Sequence, residues 1–245
     1  MISKNQLKQL RALSQKKQRK AQNLFLVQGE KNVLELLASN LTVKQLFVTD
    51  DFYTTHKEML KEQSYEIATD EELAKASTLV SNNAAIAIVH TPNQMQPQLS
   101  GVCLVLDGVS DPGNLGTIIR LADWYGLSEV ILSDDCADPY NPKVISATMG
   151  SFTRVNTIQV DIQSFLAKQQ RPIFGAYLGG DNIHHTEFKQ DIVLVMGSES
   201  HGIREHIAPF ITQKITIPAF GQAESLNVAM ATGIILDNIK RCHGE

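Results

Sequence analysis

The sequence predicts an α/β protein: a parallel-sheet domain preceded by a smaller α/β unit. Past residue 100 the short apolar runs VCLVL (102–106), EVILS (129–133), IFGAY (173–177), IVLVM (192–196) and KITIP (214–218) recur. Runs that are apolar throughout fit strands covered on both faces, as in a parallel sheet. Between the first two, Leu115, Ile118, Ile119 and Ala122 keep the i, i+3, i+4, i+7 spacing of a buried helix face. Before residue 91, helix-like stretches near 31–38, 52–62 and 70–76 alternate with QLFVT (45–49) and AIAIV (85–89), which makes a small α/β unit.

Taken in order, the chain opens on an amphipathic stretch in which Leu7, Leu10 and Ser14 share a face, with Leu13 close by. Residues 91–100, TPNQMQPQLS, hold two prolines, three glutamines and no charge. That composition marks a connector at 93–100 between domains at 1–92 and 101–245. Asn141-Pro142 reads as a helix cap followed by a first-turn proline, opening a short helix that Gly150 ends. The last helix begins near Ser225 or Asn227 and runs to about Arg241, with Val228, Ala231, Ile235 and Ile239 on one side.

Composition excludes several classes. With 43% hydrophobic and 20% charged residues, 15 Gly and 8 Pro, the 245-residue chain is not disordered, collagen-like or coiled coil. Cys103, Cys136 and Cys242 lie far apart with no C-x-x-C pairing, so neither a disulfide framework nor a cysteine metal site is expected. No apolar run approaches the roughly 18 residues of a membrane span, and no signal sequence is visible. The expectation is a cytoplasmic protein with no metal and no membrane partner. Residues 1–29 carry seven basic side chains (Lys4, Lys8, Arg11, Lys16, Lys17, Arg19, Lys20) and no acid, which leaves −11 on the rest of a chain whose net charge is −4. A basic arm on an acidic body suits phosphate contact, and a solvated helix face would look the same.

Chemistry is sought at three junctions after strands, because ligands of open α/β sheets collect at the carboxyl ends of strands. The first is DGVSDPGNLGTIIR (107–120), with Asn114 at a helix start and Arg120 six residues on. Neither G-x-G-x-x-G nor G-x-x-x-x-G-K-[ST] is present, which demotes NAD and ATP. The plain alternative has Asn114 capping the helix and Arg120 pairing with Asp123. The second is VMGSESHG (195–202), where Gly197 and Gly202 bracket Glu199; here Ser198 or Ser200 could simply cap a following helix. In the third, IPAFGQAESLN (217–227), Ser225 and Asn227 flank Leu226 and could likewise be ordinary caps.

Together and in this order, N-x-G-x-x-x-R (Asn114, Gly116, Arg120), G-x-E-x-x-G (Gly197, Glu199, Gly202) and I-P…G…S-L-N-V-A (Ile217, Pro218, Gly221, Ser225 to Ala229) closely resemble the signature motifs of the SpoU/TrmH family of SPOUT RNA methyltransferases. The resemblance covers about residues 102–241. FLVQGEKNVLELL (25–37) is similar to the substrate-binding domain that many members carry. Departures are Ala219-Phe220 where a methionine often follows I-P, and Gln28 where an acid is frequent.

The resemblance implies a SPOUT domain with a C-terminal trefoil knot, preceded by a small RNA-binding domain, and a homodimer through the C-terminal domain. It implies S-adenosylmethionine as cofactor, bound around Gly197, Ile217 and Leu226, with Leu178 after the third strand. The reaction implied is 2′-O-ribose methylation of structured RNA, with ribosomal RNA favoured over tRNA. A non-catalytic RNA-binding or ribosome-assembly protein of the same fold is the rival. Arg120, Asn114, Glu199, Ser225 and Asn227 would form the catalytic set. A guanidinium with a pKa above about 12 is a poor base, so Arg120 is expected to stay charged, orient the ribose and stabilise the developing alkoxide. Asn114 would position the hydroxyl or Arg120, Glu199 would orient Arg120 or Asn114, and Ser225 with Asn227 would complete the pocket.

Overall fold

A computed structural model describes residues 1–79, 82–93, 96–97 and 100–244. In chain order the first elements are α1 (Lys4–Ala12), α2 (Lys16–Gln22), β1 (Leu24–Gln28), α3 (Glu30–Leu37), β2 (Val43–Val48), α4 (Asp50–His56), β3 (Glu66–Ile67), α5 (Asp70–Ala76) and β4 (Ala85–His90). After them come β5 (Val102–Asp107), α6 (Pro112–Trp124), β6 (Glu129–Leu132), α7 (Pro142–Thr148), β7 (Asn156–Gln159), α8 (Ile162–Leu166), β8 (Ile173–Asn182), β9 (Ile192–Gly197), β10 (Gln213–Thr216) and α9 (Val228–Cys242).

The chain divides into two compact units, Met1–Asn93 with Asp138–Thr153, and Gln94–Ala137 with Arg154–Glu245. The expected unbroken span 101–245 is therefore interleaved: residues 138–153 pack with the first unit. Ile145 lies in its core, the Tyr140 ring sits 4.9 Å from that of Phe25, and a Cβ on Gly150 would come within 2.4 Å of Glu35 Cγ. The connector at 93–100 lies in part outside the described residues.

The first unit is built on a sheet in the order β1-β4-β2-β3, with β4 antiparallel to β1 and β2, and β3 parallel to β2. Alternate side chains of β1 leave on opposite faces, as the period of two requires. Phe25 and Val27 join the core with α3, while Leu24 and Leu26 join Leu10 and Leu13. Both faces are thus covered. The amphipathic stretch at the start is broken rather than continuous. Ser3 caps α1, the chain turns at 13–15, and Ser14 lies outside the helix. Arg19, 3% exposed, fills the turn: Nη1 donates to the carbonyls of Leu13 (2.9 Å) and Ser14 (2.8 Å), and Nε and Nη2 donate to Asp138 Oδ2. Arg11, exposed, donates to Lys75 O, so of the seven basic residues Arg19 alone is buried as a fastener and the five lysines stay exposed. Gln28 is also internal, since its buried amide joins Ser77 and Thr78.

The second unit is a six-stranded, all-parallel sheet in the order β10-β8-β9-β5-β6-β7. Val105, Ile131, Val193 and Val195 form the core on one face. Leu104, Leu106, Val130 and Leu194, equally buried, alternate with them and cover the other. β6 and β10 stop at Leu132 and Thr216, short of the apolar runs that announce them, whereas β8 continues to Asn182. α6 packs against α9, with Leu121 within 3.3 Å of where a Cβ on Gly233 would stand.

Candidate active site

β5, β9 and β10 run parallel, so the loops that follow them leave the same edge of the sheet. Asp107 at the end of β5 is paired in register with Gly197 at the end of β9. From β5 the chain moves outward to β6 and β7, then returns to lay β9 on the opposite side of β5. Crossovers therefore diverge between β5 and β9, the place where an open α/β sheet leaves a crevice.

The first two polar loops meet at this point. Asp111, not Asn114, caps α6: Asn114 N donates to Asp111 Oδ1 at 2.8 Å, and Pro112 occupies the first turn. Asn114's side chain is thereby free, and Nδ2 donates to Glu199 Oε1 at 2.5 Å. Asn227 Nδ2 donates to Asn114 Oδ1 at 2.9 Å, while Asn227 Oδ1 accepts from Ala229 N (2.9 Å) and Met230 N (3.3 Å) as the N-cap of α9. A helix N-terminus demands an oxygen, which directs the Asn227 amino group to Asn114 and the Asn114 amino group to Glu199. All three loops are joined by one directional chain of hydrogen bonds.

Glu199 rides on a closed turn. Ser198 N donates to Gly202 O (3.1 Å), Gly202 N donates to Ser198 O (2.9 Å), and Gly202 has φ +64°. A Cβ on Gly197 would lie 2.0 Å from the carbonyl carbon of Gly202, so no other residue fits there. No α-helix begins directly after this turn, and Ser198 and Ser200 cap none. Ser198 Oγ accepts from His201 N, and Ser200 Oγ lies 2.7 Å from His201 Nδ1.

Arg120 is exposed and makes no hydrogen bond or ion pair among the described residues. It stands six residues beyond Asn114 on α6, about 9 Å along the axis. Asp123 does not pair with it; Arg154 holds that carboxylate through Nε (3.0 and 3.1 Å) and Nη2 (2.9 Å). Glu199 orients Asn114 and not Arg120. Ser225 is exposed, and its hydroxyl has no partner among the described residues. Thr216 Oγ1 donates to Leu178 O at 3.2 Å, which keeps Leu178 and the half-buried Ile217 at one strand edge. Leu178 (80% exposed) leaves apolar surface uncovered there, and Leu226 in the third loop is 50% exposed. Such an edge suits a ligand with a flat apolar part and polar rims.

Sequence reasoning did not single out Arg204. Its main-chain N donates to Asp107 Oδ2 (2.9 Å), its Nε and Nη2 reach Asp107 Oδ1, and its Nη1 meets Asp135 Oδ2 at 3.0 Å. A pair separated by 97 positions leaves no periodic signal in a sequence. Nearby, burial and then Asp107 push the Tyr177 phenol up, and its hydroxyl is buried without a partner among the described residues.

Comparison with known proteins places the chain in one family. The SpoU rRNA Methylase family matches residues 101–237, and an MRM3-like substrate binding domain matches residues 4–87. The 23S rRNA (guanosine(2553)-2′-O)-methyltransferase RlmP of Bacillus subtilis is 32% identical over 97% of this chain and 97% of its own length. A TrmH-family protein from Porphyromonas gingivalis superposes with a TM-score of 0.86 at 35% identity, covering 98% of this chain and 99% of its own. The AdoMet-bound rRNA methyltransferase of Sinorhizobium meliloti gives a TM-score of 0.85 at 28% identity, with 98% and 97% covered.

Proposed function

The chain belongs to the SpoU rRNA Methylase family, and from that footing we propose that it methylates a ribose 2′-hydroxyl of ribosomal RNA. The observation that carries the reading is the chain of hydrogen bonds from Glu199 through Asn114 to Asn227, which ties the three motif loops together at the switch point of the sheet. S-adenosylmethionine, when bound, supplies the methyl group and its sulfonium leaving group. The residues present suit it: exposed Leu178 and Leu226 and half-buried Ile217 are apolar side chains to receive a flat ligand, and the main chain of the Gly197–Gly202 turn offers polar groups, which supports this reading.

Transfer to a hydroxyl asks the protein to align the reacting atoms and to favour loss of the proton. Arg120, charged and unpartnered, orients the ribose and its phosphate and stabilises the developing alkoxide. Asn114 gives one N–H to Glu199 and one lone pair to Asn227, and keeps one of each for the hydroxyl. Ser225 adds a free hydroxyl beside Leu226. Guanosine in 23S rRNA, the target named for the Bacillus relative, is the first substrate to try.

The same reading includes a cytoplasmic homodimer and the trefoil knot of the C-terminal part. Trp124 at the end of α6 (82% exposed) and Met230 on α9 (63%) are the apolar surface that supports a dimer through these helices. Among the described residues no helix is long and apolar enough to cross a membrane, and no acid, histidine or cysteine group could hold a metal ion. Mapping 2′-O-methyl positions in cellular RNA with and without the gene tests the activity. Arg120→Ala tests the site: methylation is lost while S-adenosylmethionine still binds, and loss of both assigns Arg120 a structural role.

A further inference from the structure

Resting on the methyltransferase reading, we infer that Asp107 and Arg204 are positioning residues that hold the Ser198–Gly202 turn so that Glu199 meets Asn114. Asp107 is a fully buried carboxylate at the end of β5. A charge removed from water needs close partners. Among the described residues one side chain and its own main chain provide them: Arg204 N at 2.9 Å from Oδ2, Nε at 2.7 Å from Oδ1, and Nη2 on Oδ1.

Arg204 stands two residues past Gly202, and Gly197 is in register with Asp107 across the β5–β9 ladder. Both ends of the turn are therefore pinned to residue 107, and the reciprocal Ser198–Gly202 bonds close what lies between. Glu199 has Asn114 as its one hydrogen-bond partner among the described residues, so its place depends on the turn that carries it.

The fork has a second tine. Arg204 Nη1 reaches Asp135 just beyond β6. Burial works against the Asp135 charge, but the Ser133 hydroxyl, a main-chain hydrogen bond at Asp135 itself and then Arg204 outweigh it and hold the carboxyl below its usual range. A planar guanidinium can serve both carboxylates at once in a fixed fork beside the main-chain N–H of residue 204, and a lysine ammonium, which keeps that N–H, loses the fork. A buried ion pair that only adds stability is the competing account, and it differs in what a conservative change would do.

The test uses the full chain with Arg204→Lys and Asp107→Asn, and Asp135→Asn beside them. Calorimetric affinity for S-adenosylmethionine, amide hydrogen exchange over 198–203 and melting temperature are read for each. Positioning predicts that Arg204→Lys weakens S-adenosylmethionine by roughly tenfold or more and speeds exchange of 198–203 while exchange elsewhere stays at the parent rate. Asp135→Asn, which weakens only the outer ion pair, changes far less. Parent affinity and parent exchange in Arg204→Lys would overturn the assignment. So would exchange that rises evenly along the chain, with an affinity loss that vanishes well below the melting temperature. Should Asp107→Asn fail to fold, Arg204→Lys, which keeps the charge, decides alone. If the parent chain does not bind S-adenosylmethionine, the methyltransferase reading falls, and exchange at 198–203 still settles the clamp.

Discussion

Asn114 and Glu199, 85 positions apart, are joined by a hydrogen bond of 2.5 Å, with the direction of the Asn114 amide set by Asn227 behind it. Asn114→Asp removes the donor and places two carboxylates in contact. One of them must then take up a proton or move away. Turnover is expected to fall about 100-fold, because a displaced catalytic group costs alignment. Single-turnover methylation beside a melting curve checks this, and unchanged turnover would show that the network is dispensable to the chemistry.

Two glycines of the motifs differ in what they tolerate. Gly197→Ala forces a Cβ into main chain 2.0 Å away and is expected to cost about 1–3 kcal/mol and to disrupt the turn. Gly221→Ala adds its methyl to open space, with nothing within 4 Å. Thermal denaturation should show a loss for the first and none for the second. Equal losses would contradict the packing described for Gly197.

Within the basic arm, lysines and arginines should separate cleanly. Changing Lys4, Lys8, Lys16, Lys17 and Lys20 to Gln leaves melting unchanged and lowers RNA affinity. The slope of log affinity against log salt should also flatten, by about 0.7–0.9 for each phosphate that a lysine no longer neutralises. Arg19→Ala instead leaves Asp138 Oδ2 and two carbonyls without the Arg19 donors and is expected to cost about 3–5 kcal/mol. If the lysine variant keeps its full salt slope, the arm does not touch RNA.

The three thiols should react in two classes. Burial pushes Cys103 up to about 12 and also raises Cys136, so at neutral or mildly alkaline pH neither presents the reactive thiolate. Cys242 is exposed. A thiol-specific chromogenic reagent is expected to titrate one group in the folded protein and the other two only on unfolding. Rapid reaction of all three would mean that the sheet opens on the timescale of the assay.

Several elements were legible because their signal is local. The buried face Leu115, Ile118, Ile119 and Ala122, the Asn141-Pro142 start of α7 and the apolar strands from β5 onward follow from periodicity and capping. Others carried no such signal. β7, Asn156–Gln159, is mostly polar at the sheet edge, and its identity comes from pairing with β6. Asn114 and Asp111 are both good cap residues, and only the path of the chain decides that Asp111 caps while Asn114 turns to Glu199. Residues 138–153 look like part of the second domain because they follow β6, yet their apolar side chains are buried with those of β1 and α3.

By itself the sequence determined the α/β class, the three loops rich in glycine and polar residues, and their order along the chain, since periodicity, capping and glycine placement act over a few residues. Tertiary structure alone decided that Asn227 aims Asn114 at Glu199, that Arg204 closes on Asp107, and that Arg19 is buried as a fastener. Those pairings depend on which strand ends become neighbours in the sheet, and a crossover brings together residues whose separation along the chain bears no relation to their separation in space.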